Sequence, residues 1–164
     1  MTSIDRSAQL SLREVTKETL PEILGLKVAE DQRALVSNNA VSIAQAHFNE
    51  GAWFRAIYAE ETPVGFVMLY DPSLPGAGAM PGLAETDVCL WRFMIDRRYQ
   101  GLGVGNRALD LIRAHVRSLP GVARLVASYV PAANGPEPFY LKYGFEKTGR
   151  MVAKGTEVEI WIEP

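Results

Sequence analysis

One stretch, Arg97-Arg98-Tyr99-Gln100-Gly101-Leu102-Gly103-Val104-Gly105-Asn106, concentrates the chemistry this chain could perform. It follows the apolar run Cys89–Ile95, which reads as a buried strand. It opens a helix in which Val104, Ala108, Leu109, Ile112 and Val116 recur at helical spacing. A strand that ends in a basic, glycine-rich turn at a helix N-terminus is the build of an anion site. Glycines let backbone N–H groups approach a phosphate, and the helix end adds partial positive charge.

Three glycine-loop patterns compete. A nucleotide-triphosphate loop requires Gly-Lys-Ser/Thr after the glycines, and the chain's Lys147-Thr148 lies far downstream. A dinucleotide fingerprint fits Gly103-Val104-Gly105-Asn106-Arg107-Ala108 in letters. The acidic residue required about 20 residues on is missing, because Val122–Val130 holds no Asp or Glu. The third pattern is Gln/Arg-x-x-Gly-x-Gly/Ala, met by Gln100, Gly103 and Gly105. Downstream stands Asn134 with Phe139-Tyr140-Leu141-Lys142-Tyr143-Gly144-Phe145.

With these two motifs in this order, the chain resembles the GCN5-related N-acetyltransferase superfamily. The Cys89–Gly105 run looks like the bacterial diamine and spermidine group. The resemblance implies an α/β (α+β) fold with a strongly twisted mixed sheet of six to seven strands and helices on both faces. Its central strands would splay at the glycine loop. It implies acetyl-coenzyme A, with its pyrophosphate on the backbone of Gln100, Gly101, Leu102, Gly103, Val104, Gly105 and Asn106. Arg98 would stand beside it. The pantetheine arm would pair with Phe93, Met94 and Ile95, and a backbone N–H at Met94 or Ile95 would face the thioester oxygen. Asn134 and Tyr143 would complete the coenzyme site. Tyr140 would protonate the departing thiolate, since a phenol is mostly protonated at neutral pH. The step from Asn134 to Tyr140 is one residue shorter than the family pattern, and Pro136 and Pro138 push the helix start to about Glu137.

The acceptor and the general base are less defined. The central strand carries no acid in Cys89–Phe93, which leaves Glu85 and Asp87 just before it, each also readable as a solvated loop acid. Arg92 on a buried strand needs a partner, either a substrate carboxylate or a structural acid. Glu30 and Asp31 with Trp53 could recognise a cationic amine through charge and cation–π contact, or be a plain polar helix end. A small polyamine such as spermidine is the first expectation for the acceptor. Another amine (an aminoglycoside, an amino acid or a protein N-terminus) stays open, as does a non-catalytic acetyl-coenzyme A sensor.

The rest of the chain must position these groups. Its 164 residues, 48% hydrophobic and 22% charged, suit one globular domain over 1–164. The net charge of −2 argues against nucleic acid as a partner. Local charge is different: Arg97, Arg98 and Arg107 surround the glycine loop, although Arg107 is equally readable as a solvated surface residue. Cys89 is the only cysteine, which excludes an internal disulfide. His47 and His115 are too isolated for a metal site. No run is long and apolar enough to span a membrane, so the cytoplasm is the expected compartment.

Apolar periodicity predicts strands at Leu10–Val15, Phe54–Ala59, Val64–Leu69, Thr86–Ile95, Arg124–Val130, Glu146–Thr148 and Glu157–Ile162. Helices are expected from Thr19 through Lys27–Glu30, at Val41–Asn49 capped by Asn38 or Asn39, after the glycine loop, and within Gly135–Tyr143. Asp71–Ala84 reads as an exposed loop. By analogy, the C-terminal strand is a candidate homodimer contact.

Overall fold

The structure is a computed structural model and describes residues 4–164. Its elements are β1 (Leu10–Arg13), α1 (Leu20–Gly25), α2 (Asn39–His47), β2 (Ala52–Ala59), β3 (Thr62–Tyr70), β4 (Asp87–Ile95), α3 (Val104–Ser118), β5 (Arg124–Tyr129), α4 (Glu137–Tyr143), β6 (Glu146–Val152) and β7 (Glu157–Ile162). The strands form one seven-stranded sheet in the order β1-β2-β3-β4-β5-β7-β6. The β4–β5 pair is parallel and the other neighbours are antiparallel. This is the expected mixed sheet.

The helices divide between the two faces. On one, α3 buries Val104, Ala108, Leu109, Ile112 and Val116 against Ile57, Leu69, Leu125 and Ile160. Complete burial of a side chain such as Leu109 or Ile112 contributes about 1.5–3 kcal/mol. On the other, α1 and α2 cover Ala56, Tyr58, Phe66, Met68 and Met94. Asn38 caps α2 by accepting the Val41 N–H at 2.9 Å. β3 is the strand most completely buried, over Val64–Tyr70, whereas β4 leaves Cys89 and Trp91–Phe93 half-buried where the cleft opens.

Within β4, Met68 stands opposite Arg92 and Leu69 opposite Leu90, so Trp91 is an extra residue. The bulge reverses the inside–outside alternation. Val88 and Leu90 face α3 before it, and Phe93 and Ile95 face α3 after it. Trp91 and Met94 pack toward α1 and α2.

The expected splay is present. The parallel ladder ends at Leu90 and Ala127, while β4 runs on to Ile95. β5 turns its other edge to β7, pairing Ser128 with Glu159 and Tyr129 with Val158. The β5-facing edge of Trp91–Ile95 is therefore without a strand partner.

Two boundaries and one strand position differ from the sequence reading. α1 stops at Gly25 and does not reach Lys27–Glu30. The Lys27 N–H is taken by Asp96 Oδ2 at 2.9 Å, and the Lys27 carbonyl by the Arg97 N–H at 2.8 Å. β6 continues through Val152, where the sequence indicates a connection. The strand is largely exposed, and its register shifts between Lys147 and Met151, so apolar alternation gives no signal. β7 is an interior strand between β5 and β6 and has no free edge for the homodimer contact expected there.

Candidate active site

The gap between β4 and β5 opens into a cleft of about 1010 Å³. One wall is β4 from Cys89 to Ile95, and the other is Val126 to Val130. The glycine loop and α4 close one end. Three segments enclose the opposite face: 32–37, 80–83 and Val152-Ala153. Met80–Leu83 belong to the loop read as merely exposed; in the fold they form a wall of the site.

The glycine loop suits an anion. Gly101 and Gly103 have φ of +73° and +77°, which other residues adopt only at a cost, and a Cβ at either would meet open space. Gly103 is the N-cap of α3, so the first N–H groups of a 15-residue helix lie at the loop. Gly105 serves close packing instead, since a Cβ there would sit 3.0 Å from the Phe139 ring. Gln100 turns inward and donates to the Ile95 carbonyl at 2.9 Å and to Gln32 Oε1 at 2.8 Å. Gln100, Gly101, Gly103, Gly105 and Asn106 line the cleft. Leu102 and Val104 point their side chains into the core and offer the loop only backbone.

Two of the three arginines around the loop bind protein groups, and Arg97 is exposed. Arg98 Nε donates to Asp96 Oδ1 at 2.8 Å. Arg107 donates to the carbonyls of Arg6 and Ala8, which fastens the segment before β1 to α3. Lys142 of α4 lies on the cleft wall.

Three tyrosines occupy the α4 end, and one has an uncommitted hydroxyl. Tyr129 donates to Glu137 Oε2 at 2.6 Å, and Tyr143 to Asp110 Oδ1 at 2.7 Å. Tyr143 thus belongs to the seam between α4 and α3 and does not line the cleft. Tyr140 does line it, with its ring held among Tyr129, Phe139 and Phe145. Burial, followed by the nearby Cys89, raises the Tyr140 phenol, and no hydrogen bond from a described residue contributes. Its proton is held firmly. Asn134 is exposed on the loop before α4 and reaches the cleft wall, as do Phe93, Met94 and Ile95.

The opposite face holds the charged groups. Arg92 donates through Nη1 to the Trp91 carbonyl at 2.8 Å and through Nη2 to Gln45 Oε1 at 3.1 Å. Its Nε is buried without a partner among the described residues, and desolvation lowers its pKa, opposed by the charge of Glu157. Burial pushes the Cys89 thiol up to about 12, which disfavours the thiolate a nucleophile would need.

Among the described residues, the carboxylates lining the cleft are Glu157 and Glu159 of β7. The sequence reading passed over both. The available signal was the alternation Glu157-Val158-Glu159-Ile160-Trp161-Ile162, which puts both acids on the face opposite the core.

Several expected acceptor residues stand elsewhere. Glu30 and Asp31 form an exposed turn, with Glu30 paired to Arg33, and only the following Gln32 and Arg33 reach the cleft. Trp53 shares the α3 face of β2 with Ile57 and stacks on His115 at 4.0 Å. Glu85 lies in an exposed loop outside the cleft wall. Asp87 is buried and bound by Arg124 Nη2 at 2.6 Å, which is a structural pair.

A glycine cradle at a helix N-terminus, an unpaired strand edge and an adjoining buried phenol fit an extended thioester coenzyme. The sequence profile of the acetyltransferase (GNAT) family matches residues 12–145. The spermine/spermidine N(1)-acetyltransferase of Bacillus subtilis is 27% identical over 157 residues, covering 92% of this chain and 97% of the relative. Among solved structures, an aminoglycoside acetyltransferase in complex with coenzyme A superposes with a TM-score of 0.74 at 15% identity, covering 94% of this chain and 95% of that one. The ribosomal-protein-S18-alanine N-acetyltransferase of Escherichia coli gives 0.63 at 13% identity, covering 94% of each chain. No helix among the described residues is long and apolar enough to cross a membrane. The chain belongs to the acetyltransferase (GNAT) family and is an acetyl-coenzyme A-dependent N-acetyltransferase.

Proposed function

We propose that the chain acetylates a primary amine of a small polyamine, with Tyr140 as general acid. The observation that carries this reading is the pair of carboxylates, Glu157 and Glu159, on the acceptor side of the cleft. A polycationic amine needs such a surface. The similarity to a spermine/spermidine acetyltransferase over nearly the whole chain supports the same substrate class.

When bound, acetyl-coenzyme A supplies the acetyl group as an activated thioester. The backbone N–H groups of Gly101–Asn106 would hold its phosphates, and Asn134 would meet the pantetheine amides. The Met94 N–H faces β3, so the Ile95 N–H on the open edge would polarise the thioester oxygen, a role suited to donors fixed in a strand. Tyr140 would give its proton to the sulfur as the amine displaces it.

One observation favours a second acceptor, an amine that also carries a carboxylate: the buried, unpartnered Nε of Arg92 on the cleft wall. The test is coenzyme A release with spermidine, spermine, a short diamine, an aminoglycoside and several amino acids, against a blank without acceptor. Release driven by the polyamines supports the first reading. Release driven by amino acids alone moves the assignment to the second.

A further inference from the structure

An amine reaches the site protonated, because its ordinary pKa is near that of a lysine, about 10.4. Attack needs the neutral form, so a group on the acceptor side must take a proton. β4 offers no acid inside the cleft, and Asp87 is tied to Arg124. The two cleft carboxylates of β7 differ in their commitments. Glu159 is buried and lies 3.7 Å from Arg150 Nε. Glu157 accepts a hydrogen bond from Ser128 Oγ and forms no ion pair with a described residue.

The neighbouring strand relates Glu157 to Tyr140. Consecutive residues of β5 point to opposite faces of the sheet. Ser128 holds Glu157 on the acceptor face, while Tyr129 stacks on Tyr140 at 6.4 Å between ring centroids on the α4 face. A carboxylate and a phenol thus flank the slot between β4 and β5 from its two sides. Direct transfer needs that separation, with a proton removed where nitrogen enters and a proton supplied where sulfur leaves. The titratable and charged groups facing Glu157 are Arg92 and Cys89 from β4 and Glu159 from its own strand, with Arg150 of β6 behind Glu159.

We infer that Glu157 is the general base of the reaction, accepting the amine's proton on the face of the sheet opposite Tyr140. This rests on the amine-acetylating reading above. The arriving ammonium gives one proton to the Glu157 carboxylate, which releases it to water. As the nitrogen–carbon bond then forms, the surplus N–H proton passes to the same carboxylate. The carbon–sulfur bond breaks, and the sulfur takes the Tyr140 proton. Amine and thioester become amide and thiol, and both residues return to their starting states by exchange with water.

The test compares wild type, Glu157→Gln, Glu157→Asp and Glu159→Gln on the best acceptor of the panel. The expected result for Glu157→Gln is a fall in kcat of about 100-fold, with loss of the ascending acidic limb of the kcat–pH profile. Glu157→Asp should recover part of the rate. Glu159→Gln should keep the limb. Calorimetric titration with coenzyme A should give the same affinity in Glu157→Gln as in wild type, which separates lost chemistry from lost folding. A Glu157→Gln variant within threefold of wild-type kcat, with the same acidic limb, overturns the inference. If wild type acetylates only acceptors other than polyamines, the polyamine reading falls, and the same comparison on the reacting acceptor still decides Glu157. Absence of turnover with every acceptor overturns both.

Discussion

Leu90 and Ala127 are the last paired residues between β4 and β5, and the cleft opens directly beyond them. Up to that pair the two strands are ordinary sheet. Past it, β4 keeps β3 on one edge and presents its other edge to the cavity. The site is made by ending a ladder early rather than by adding a loop. A ligand that fills the gap should therefore stiffen the sheet. Coenzyme A at 100 times its Kd should add about 2.7 kcal/mol of stability, read as a rise in melting temperature. A temperature unmoved by saturating coenzyme A would contradict a built coenzyme site.

Tyr140→Phe should cut kcat by about 100-fold while leaving the affinity for coenzyme A within a few-fold. Because burial raises the Tyr140 phenol, its protonated form persists beyond the ordinary tyrosine value of about 10. The wild-type kcat profile should then show no descending limb from this residue below that pH. Steady-state rates across pH, paired with calorimetry, check both halves.

Asp87→Asn should leave catalysis nearly intact and lower stability. The Asp87 carboxylate is 3% exposed while Arg124 is 41% exposed, so solvent relieves part of the loss. A cost of about 1–2 kcal/mol follows, below that of breaking a fully buried pair. Chemical denaturation measures it. A collapse of kcat at unchanged stability would restore Asp87 to the acceptor site.

Asp96 links pH to folding. Burial raises its pKa, but hydrogen bonds from Arg98 and from the Lys27 N–H outweigh it and hold the carboxyl below its ordinary value. A depressed folded-state pKa contributes stability that is present above the unfolded value and lost as pH falls through the folded one. Asp96→Asn should lower the melting temperature at pH 7 and narrow the difference from wild type as pH drops below about 4.

Gly105→Ala should destabilise the chain by about 1–3 kcal/mol, the usual cost of overpacking, because the new methyl sits 3.0 Å from the Phe139 ring. Phe139→Leu in the same background should recover part of it. If the two substitutions simply add, the contact between α3 and α4 is not as close as described.

Much of this was legible in the sequence because it depends on local pattern. The glycine loop, the amphipathic α3 and the Asn38 cap are written in neighbouring residues. The misplaced acceptor residues have a different origin. Whether Trp53 faces α3 or the acceptor is a matter of strand phase and partner, which its immediate neighbours do not encode. Glu157 and Glu159 reach the cleft because β7 inserts beside β5, a long-range pairing. Arg98 and Arg107 looked free for phosphate because Asp96 and the carbonyls of Arg6 and Ala8 become their partners only in the folded chain.

The additional residue at Trp91 gives β4 two grammars. In its first part the odd-numbered positions, such as Asp87 and Cys89, face the acceptor side; in its second part the even-numbered Arg92 and Met94 do. Deleting Trp91 would remove the bulge and restore unbroken alternation, with Leu90, Phe93 and Ile95 still under α3 and Arg92 still on the other face. The supporting part of the strand and the working part thus obey opposite substitution rules, and one reading frame of polar and apolar replacements would fail on one of them.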